Sequence, residues 1–355
     1  MLDGLDKIAA QINQVIINDN FPDTIKPAYL RGAVMDYPAR GGKRLRPALV
    51  MWSCGLLGGK PEDAVYPAAA VEIYHNWTLV HDDIIDNDEV RRGLATTHCE
   101  IAGYSREKFL VEGDKSEKFG RDLAILAGDI QQGWAVNMLL KAVEHGVSAP
   151  VVLSLSRRLQ ELVNRELISG EALDVEFPLR GWRSVTADEV IDMLAMKTGA
   201  LLRFCAEAGG AIALDCADLN RPEIINLGEF ACAAGVAFQL RDDWLGVFGD
   251  FEKLGKSIGA DLTEAKPTIL LLKTFEMIGQ EEREELNALI GMVEYSRPAI
   301  ERVRELMRQS GAEKFVLDKS NEFADKARTI LKSFPGNKYR KLLLEFIDFL
   351  VTREK

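Results

Sequence analysis

The chain has 355 residues, 47% hydrophobic and 28% charged, the balance of a soluble globular protein with a sizeable core and not of a disordered one. Its 55 acidic and 44 basic residues give a formal net charge of -11, which disfavours a nucleic-acid-binding surface but leaves room for a local basic pocket. The five cysteines, Cys54, Cys99, Cys205, Cys216 and Cys232, are odd in number and form no CxxC pair, so they are expected to be thiols of a cytoplasmic protein.

The opening residues MLDGLDKIAAQINQVI read as an amphipathic helix and lack the basic start and apolar run of a signal peptide. No later run approaches the roughly 20 apolar residues of a membrane span. Next comes Gly41-Gly42-Lys43-Arg44-Leu45-Arg46-Pro47. Its glycines permit close backbone approach, Pro47 suits the first turn of the helix that follows, and cations beside free amides make an anion site. Alone this is a weak signal, because a basic surface turn is usually just solvated. Gly55, Gly58 and Gly59 are expected to end that helix.

A helix beginning near Ala68 runs into Leu79-Val-His-Asp82-Asp83-Ile-Ile-Asp86-Asn-Asp88-Glu-Val-Arg91-Arg92-Gly93. Asp82 and Asp86 are four apart and share a helix face. Like charges so placed cost stability unless divalent cations sit between them, and hard oxygen donors suit magnesium. A solvated acidic helix end is the competing explanation. Residues 99–120, rich in Glu, Lys, Ser and Gly, are expected to be a solvated loop or short surface helix, a tolerated insertion more than a lid.

Apolar residues at three- and four-residue spacing predict helices over 151–167, 187–202 and 224–240. Gly209 and Gly210 are expected to interrupt one helix and Pro335-Gly336 to stop another. A second acidic cluster, Phe238-Gln239-Leu240-Arg241-Asp242-Asp243, again puts paired aspartates at the end of an apolar helix. If the two acidic helix ends converge, they line one cavity above an apolar shaft, able to hold a diphosphate through metals while a hydrocarbon tail hides from water. No linker or repeat divides the chain, which reads as a single all-α domain over 1–355, a large bundle with a central apolar cavity.

In these motifs the chain resembles the trans-type, head-to-tail isoprenyl diphosphate synthases, the polyprenyl synthetases. The likeness runs from about residue 40 to 261: GGKRLRP, His75 ahead of HDDIID, RRG, Leu126-Ala-Gly-Asp129, Gly170-Glu171-Ala-Leu-Asp174, Lys197-Thr198-Gly199, FQLRDD, then Lys256 and Lys266. It implies the isoprenoid synthase fold, a homodimer, and condensation of isopentenyl diphosphate with an allylic diphosphate. It further implies that Asp82, Asp86 and Asp242 bind magnesium, three ions in all, with Asp83 and Asp243 in support. Arg91, Lys197 and Lys256 would hold the allylic diphosphate, with Lys266 also binding substrate. Lys43, Arg46, His75 and Arg92 would hold isopentenyl diphosphate, and Thr198 and Gln239 would line the reacting centre. Three departures stand out: Gly246 replaces a third aspartate, Glu171 stands where glutamine is frequent, and 99–120 is long.

Product length is expected to follow bulk below the first aspartates. Thr78 lies one turn back from Asp82 and Tyr74 two, so Tyr74 could floor the cavity, whereas helix geometry turns Trp77 aside. In the family an aromatic at the Trp77 position accompanies farnesyl and geranylgeranyl makers. Both arguments favour a medium chain, geranylgeranyl first, with farnesyl or longer products as alternatives. Other readings are a noncatalytic partner subunit, a terpene cyclase, and a di-iron bundle using Glu72-Ile-Tyr-His75, for which no second copy exists.

Overall fold

The structure is a computed structural model and describes residues 2–249, 260–292 and 296–352. It is all-α apart from one very short hairpin, and its residues group into two compact units, 1–156 with 207–220, and 157–206 with 221–355. The first contains α1 (Leu2–Ile17), α2 (Ala28–Ala39), α3 (Leu45–Leu56), α4 (Val65–Ile85), the strands β1 (Val90–Arg91) and β2 (Leu94–Ala95), α5 (Thr97–Phe109) and α6 (Asp114–Lys141). Helix α4 is its axis, packed along α6 and α3. The Ala68-Ala69-Ala70-Val71 stretch is buried on every side, so α4 carries no one-sided apolar stripe.

After α7 (Ala149–Arg158), a π-turn at Leu159–Val163 leads into α8 (Asn164–Arg180). Next, α9 (Ala187–Leu194) passes through a second π-turn, Ala195–Gly199, into α10 (Ala200–Ala213). The start of α9 is fixed by a capping box in which Thr186 and Glu189 exchange hydrogen bonds. There follow α11 (Pro222–Phe248), α12 (Ala260–Thr263), α13 (Ile269–Met277), α14 (Gln280–Leu289), α15 (Arg297–Ser310), α16 (Ala312–Lys332) and α17 (Lys338–Thr352). The core of the second unit gathers Leu240 and Val247 of α11 with Leu271, Leu306 and Val316.

Two expectations are corrected. Gly209 and Gly210 do not break a helix, for α10 runs through both. A Cβ on Gly209 would lie 2.2 Å from the Val50 carbonyl oxygen, so glycine serves here to let α10 touch α3. Of the two forms expected for residues 99–120, the solvated loop is replaced by the short surface helix: α5 packs on the start of α6, with Ile101, Ala102 and Ser105 buried. Tyr104, Phe109 and Phe119 cluster with Tyr29 at ring separations of 5.3 to 6.1 Å, an anchor drawn from distant parts of the chain. The stop before Pro335-Gly336 agrees with α16 ending at Lys332. All five cysteines are free thiols. Among the described residues no helix is long and apolar enough to cross a membrane.

Candidate active site

The end of α4 is a Schellman motif. Asn87 takes a left-handed φ of 55°, the Asp88 amide donates to the Asp83 carbonyl at 2.9 Å, and the Asn87 amide donates to Ile84 at 3.4 Å. This places Asp82, Asp83, Asp86 and Asp88 around the negative end of the helix dipole, where carboxylates are least welcome. Arg91 compensates. Its guanidinium donates to Asp83, lies 3.1 Å from Asp82 and approaches Asp88 at 3.5 Å. It is delivered by the hairpin, whose central Arg92 and Gly93 both have positive φ (56° and 78°), the conformation of a type I′ turn.

Asp83 is buried, its side chain 1% exposed, and the Tyr37 hydroxyl of α2 donates to its second oxygen. Burial pushes the Asp83 carboxyl upward, Arg91 and Tyr37 pull it back down, and burial raises the Tyr37 phenol. Asp83 therefore anchors Arg91 and α2 from inside the protein, while Asp82, with a side chain 22% exposed, faces outward. Sequence reasoning missed Tyr37: it lies 46 residues from Asp83 and nothing in its local pattern marks it.

In the basic loop the cations divide. Arg44 has a left-handed φ of 49°, is buried, and spends its guanidinium on Glu72, Asn13 at 2.8 Å and the Pro38 carbonyl at 2.8 Å. Glu72 is thereby neutralised by Arg44 and is not the metal-binding half of a di-iron pair with His75. Lys43 is exposed and Arg46 half-buried. Arg92 donates to the Gly41 carbonyl at 3.1 Å, and Gly42 beside it takes a φ of 148°, a backbone conformation that favours glycine. His75 is held well below the ordinary imidazole range by burial first, then by Arg46, Arg92, Arg91 and Arg44. The expected isopentenyl diphosphate residues His75, Arg46 and Arg92 thus share one electropositive neighbourhood.

Below the aspartates, Tyr74 is fully buried and Trp77 nearly so, in edge contact at 4.8 Å. Trp77 in turn meets His81 at 5.8 Å, and the His81 ring lies 3.1 Å from the Ile125 carbonyl of α6. The Tyr74 and Trp77 rings pack edge to face. The Thr78 hydroxyl donates to the His75 carbonyl at 2.8 Å.

In the second unit, Lys197 sits in the π-turn Ala195–Gly199, an irregularity common at functional sites. A Cβ on Gly170 would stand 2.4 Å from the Lys197 amide nitrogen, so that glycine sets how near α8 comes. The Lys197 ammonium lies 2.7 Å from Asp174 and 2.8 Å from Glu171, and Lys266 lies 3.9 Å from the same Asp174. Thr198 is 9% exposed. Gln239, Asp242 and Asp243 are half-buried on one flank of α11, and Gly246 lies within the same helix. The end of α11 is tied down by Arg304 of α15, which donates to the Val247 carbonyl at 2.7 Å and the Gly249 carbonyl at 2.9 Å. Lys256 lies outside the described residues.

The polyprenyl synthetase family model matches residues 27–307. The chain belongs to the polyprenyl synthetase family. It is 34% identical to the geranylgeranyl diphosphate synthase of Saccharolobus solfataricus, covering 99% of each chain. It is 33% identical to the geranylfarnesyl diphosphate synthase of Aeropyrum pernix, covering 94% of this chain and 96% of that one. Its fold matches a geranylgeranyl pyrophosphate synthase from Corynebacterium glutamicum, complexed with isoprenyl diphosphate and magnesium, at a TM-score of 0.84, 28% identity and 99% coverage of both chains.

Magnesium is compatible with the donor set. Among the described residues no three His, Cys, Asp or Glu side chains gather to chelate one ion. Magnesium is commonly held by one or two carboxylates plus water and substrate phosphate oxygens, and Asp82 and Asp86, one turn apart, offer that.

Two outcomes follow. Asp83→Asn strands the buried Arg91 charge and should lower stability by about 3 kcal/mol, the low end for a broken buried pair because Asp82 and Asp88 still hold Arg91. Asp82→Asn should change urea unfolding by less than about 1 kcal/mol; equal losses in the two variants would refute the division of roles. For His75, the folded chain binds its proton more weakly than the unfolded chain, whose imidazole titrates near ~6.5. Its contribution to stability is therefore complete above about pH 6.5 and erodes as pH falls toward the depressed folded value. His75→Gln should flatten that acid limb in urea titrations, leaving the smaller slope from His98, which burial also lowers.

Proposed function

We propose that this polyprenyl synthetase is a magnesium-dependent prenyltransferase that condenses isopentenyl diphosphate with allylic diphosphates, head to tail, to an all-trans product, geranylgeranyl diphosphate. The observation that carries it is the intact acidic end of α4, ion-paired with Arg91, beside a neighbourhood in which His75 feels the charges of Arg46 and Arg92. Such an arrangement offers one diphosphate a metal-bridged seat and another a seat made of protein cations. A terpene cyclase has no use for the second seat, and a noncatalytic subunit would not need the first.

Magnesium held by Asp82, Asp86 and Asp242 would supply Lewis-acid neutralisation of the departing diphosphate. Arg91, Lys197 and Lys256 steady the same group, and the carboxylates of Glu171 and Asp174 hold the Lys197 ammonium in place. The allylic carbon–oxygen bond breaks and its electrons leave on diphosphate. The isopentenyl double bond attacks the allylic carbon to form the new carbon–carbon bond. Loss of a proton to the released diphosphate restores a double bond, five carbons further on. Charge stabilisation is the main task, so no nucleophilic Ser or Cys is needed. Lys43, Arg46, His75 and Arg92 hold isopentenyl diphosphate, His75 as neutral imidazole. The enzyme acts in the cytoplasm as a homodimer.

Purified protein supplied with isopentenyl diphosphate and dimethylallyl, geranyl or farnesyl starter should give geranylgeranyl diphosphate by product chromatography, and a chelator should abolish it. Asp82→Asn and Asp242→Asn should each cut kcat more than about tenfold, ~1.4 kcal/mol of barrier; turnover within that margin in either variant sinks the metal role. Bulk at Tyr74 and Trp77 should set product length, so Tyr74→Ala lengthens the product. Unchanged length in both Tyr74→Ala and Trp77→Ala would remove the two rings from the account.

A further inference from the structure

Helix α4 turns a stripe of three buried polar side chains, Glu72, Asn76 and Asp83, away from solvent; all are less than 10% exposed. The outer two have partners, Glu72 in Arg44, and Asp83 in Tyr37 and Arg91. Asn76 differs. It is 3% exposed, and its Nδ2 finds no acceptor among the described residues. It lines a small cavity with Tyr37, Arg40, Leu79, Arg91 and Arg92. Leaving a buried amide donor unmade costs about 1–3 kcal/mol, so such a group in an enzyme points to an occupant with an acceptor oxygen.

A second donor shares that cavity. Arg40 gives Nε and Nη2 to Asp36 at 2.7 and 2.8 Å, and Nη2 also to the Ala95 carbonyl at 2.6 Å. Its buried Nη1 is left without an acceptor among the described residues. Arg92, on the same wall, donates to the Gly41 carbonyl and has no carboxylate partner among the described residues. The cavity is therefore lined by two residues with an unmade N–H donor and by a guanidinium that no described carboxylate neutralises. One oxygen of an anion reaching into the cavity meets the donors and the charge together, whereas a water satisfies the donors and leaves the charge.

We propose that Asn76 Nδ2, with Arg40 Nη1 beside it, binds a phosphate oxygen of isopentenyl diphosphate, as a donor pair additional to Lys43, Arg46, His75 and Arg92. The inference rests on the reading that isopentenyl diphosphate is a substrate. A carboxamide adds no charge, so it fixes the orientation of the phosphate where the surrounding cations supply attraction from a wide range of directions.

Calorimetric titration of the whole protein in the presence of a chelator tests it, with isopentenyl diphosphate and inorganic diphosphate as separate ligands. Asn76→Leu, which removes the donor, should weaken binding of both ligands about tenfold or more, the value of a hydrogen bond to a charged group. Arg40→Lys, which keeps a cation for Asp36 but loses Nη1, should weaken both in the same direction, and it carries the test if Asn76→Leu melts more than about 5 °C early. Affinities within twofold of wild type would make the cavity a water site and overturn the proposal. Loss confined to isopentenyl diphosphate would also overturn it, because the contact would then be with the hydrocarbon. Wild-type protein that binds both ligands but forms no prenyl product would instead sink the proposed function and leave the subsite standing.

Discussion

Four carboxylates crowd the negative pole of one helix, and most of the first unit is arranged around that strain. Asp82, Asp83, Asp86 and Asp88 repel one another and the α4 dipole alike, at a point where the chain must also leave the helix. The remedy is an internal cation. A two-residue turn whose backbone requires positive φ swings Arg91 back over the helix end, and burial of Asp83 gives that pair a low-dielectric anchor. With Asp83 so engaged from inside, its neighbour Asp82 meets the same guanidinium from a side chain 22% exposed.

The same helix organises the electropositive neighbourhood of His75 by periodicity. Glu72, Asn76 and Asp83 recur at four- and seven-residue spacing, so a single face of α4 meets the basic loop, the cavity and the Tyr37 side of α2 in turn. Arg44 shows that cations close in sequence need not share a role: it is a structural counter-ion for Glu72, while Arg46, two residues on, adds to the burial that holds His75 well below the ordinary imidazole range.

In the second unit the decisive detail is the absence of side chains at particular points. Gly170 brings α8 against the Lys197 backbone, and Gly199 lets the π-turn approach Cys232, whose sulfur would lie 2.7 Å from a Cβ there. Lys197 is then clasped between Glu171 and Asp174. Glutamine at the Glu171 position would leave the ammonium one carboxylate fewer, so this chain holds its lysine under a stronger countercharge than a glutamine would impose.

The all-α class, the helices over 151–167, 187–202 and 224–240, and the family itself were legible in the sequence, because helical periodicity and spaced motifs are local properties of the chain. So was the identity of the acidic and basic clusters, since like charges concentrated at a helix end need an explanation wherever they fold. What only the tertiary structure decided are relations between residues far apart in the chain: that Tyr37 reaches Asp83, that Arg44 is consumed by Glu72, that Gly209 joins helices instead of ending one, and that the aromatics of 99–120 are packed. Glycine in a sequence signals conformational freedom and close approach equally, and a buried carboxylate reads the same as an exposed one. Burial and partner choice are set by the packing of helices onto one another, and that information lies in no single stretch of residues.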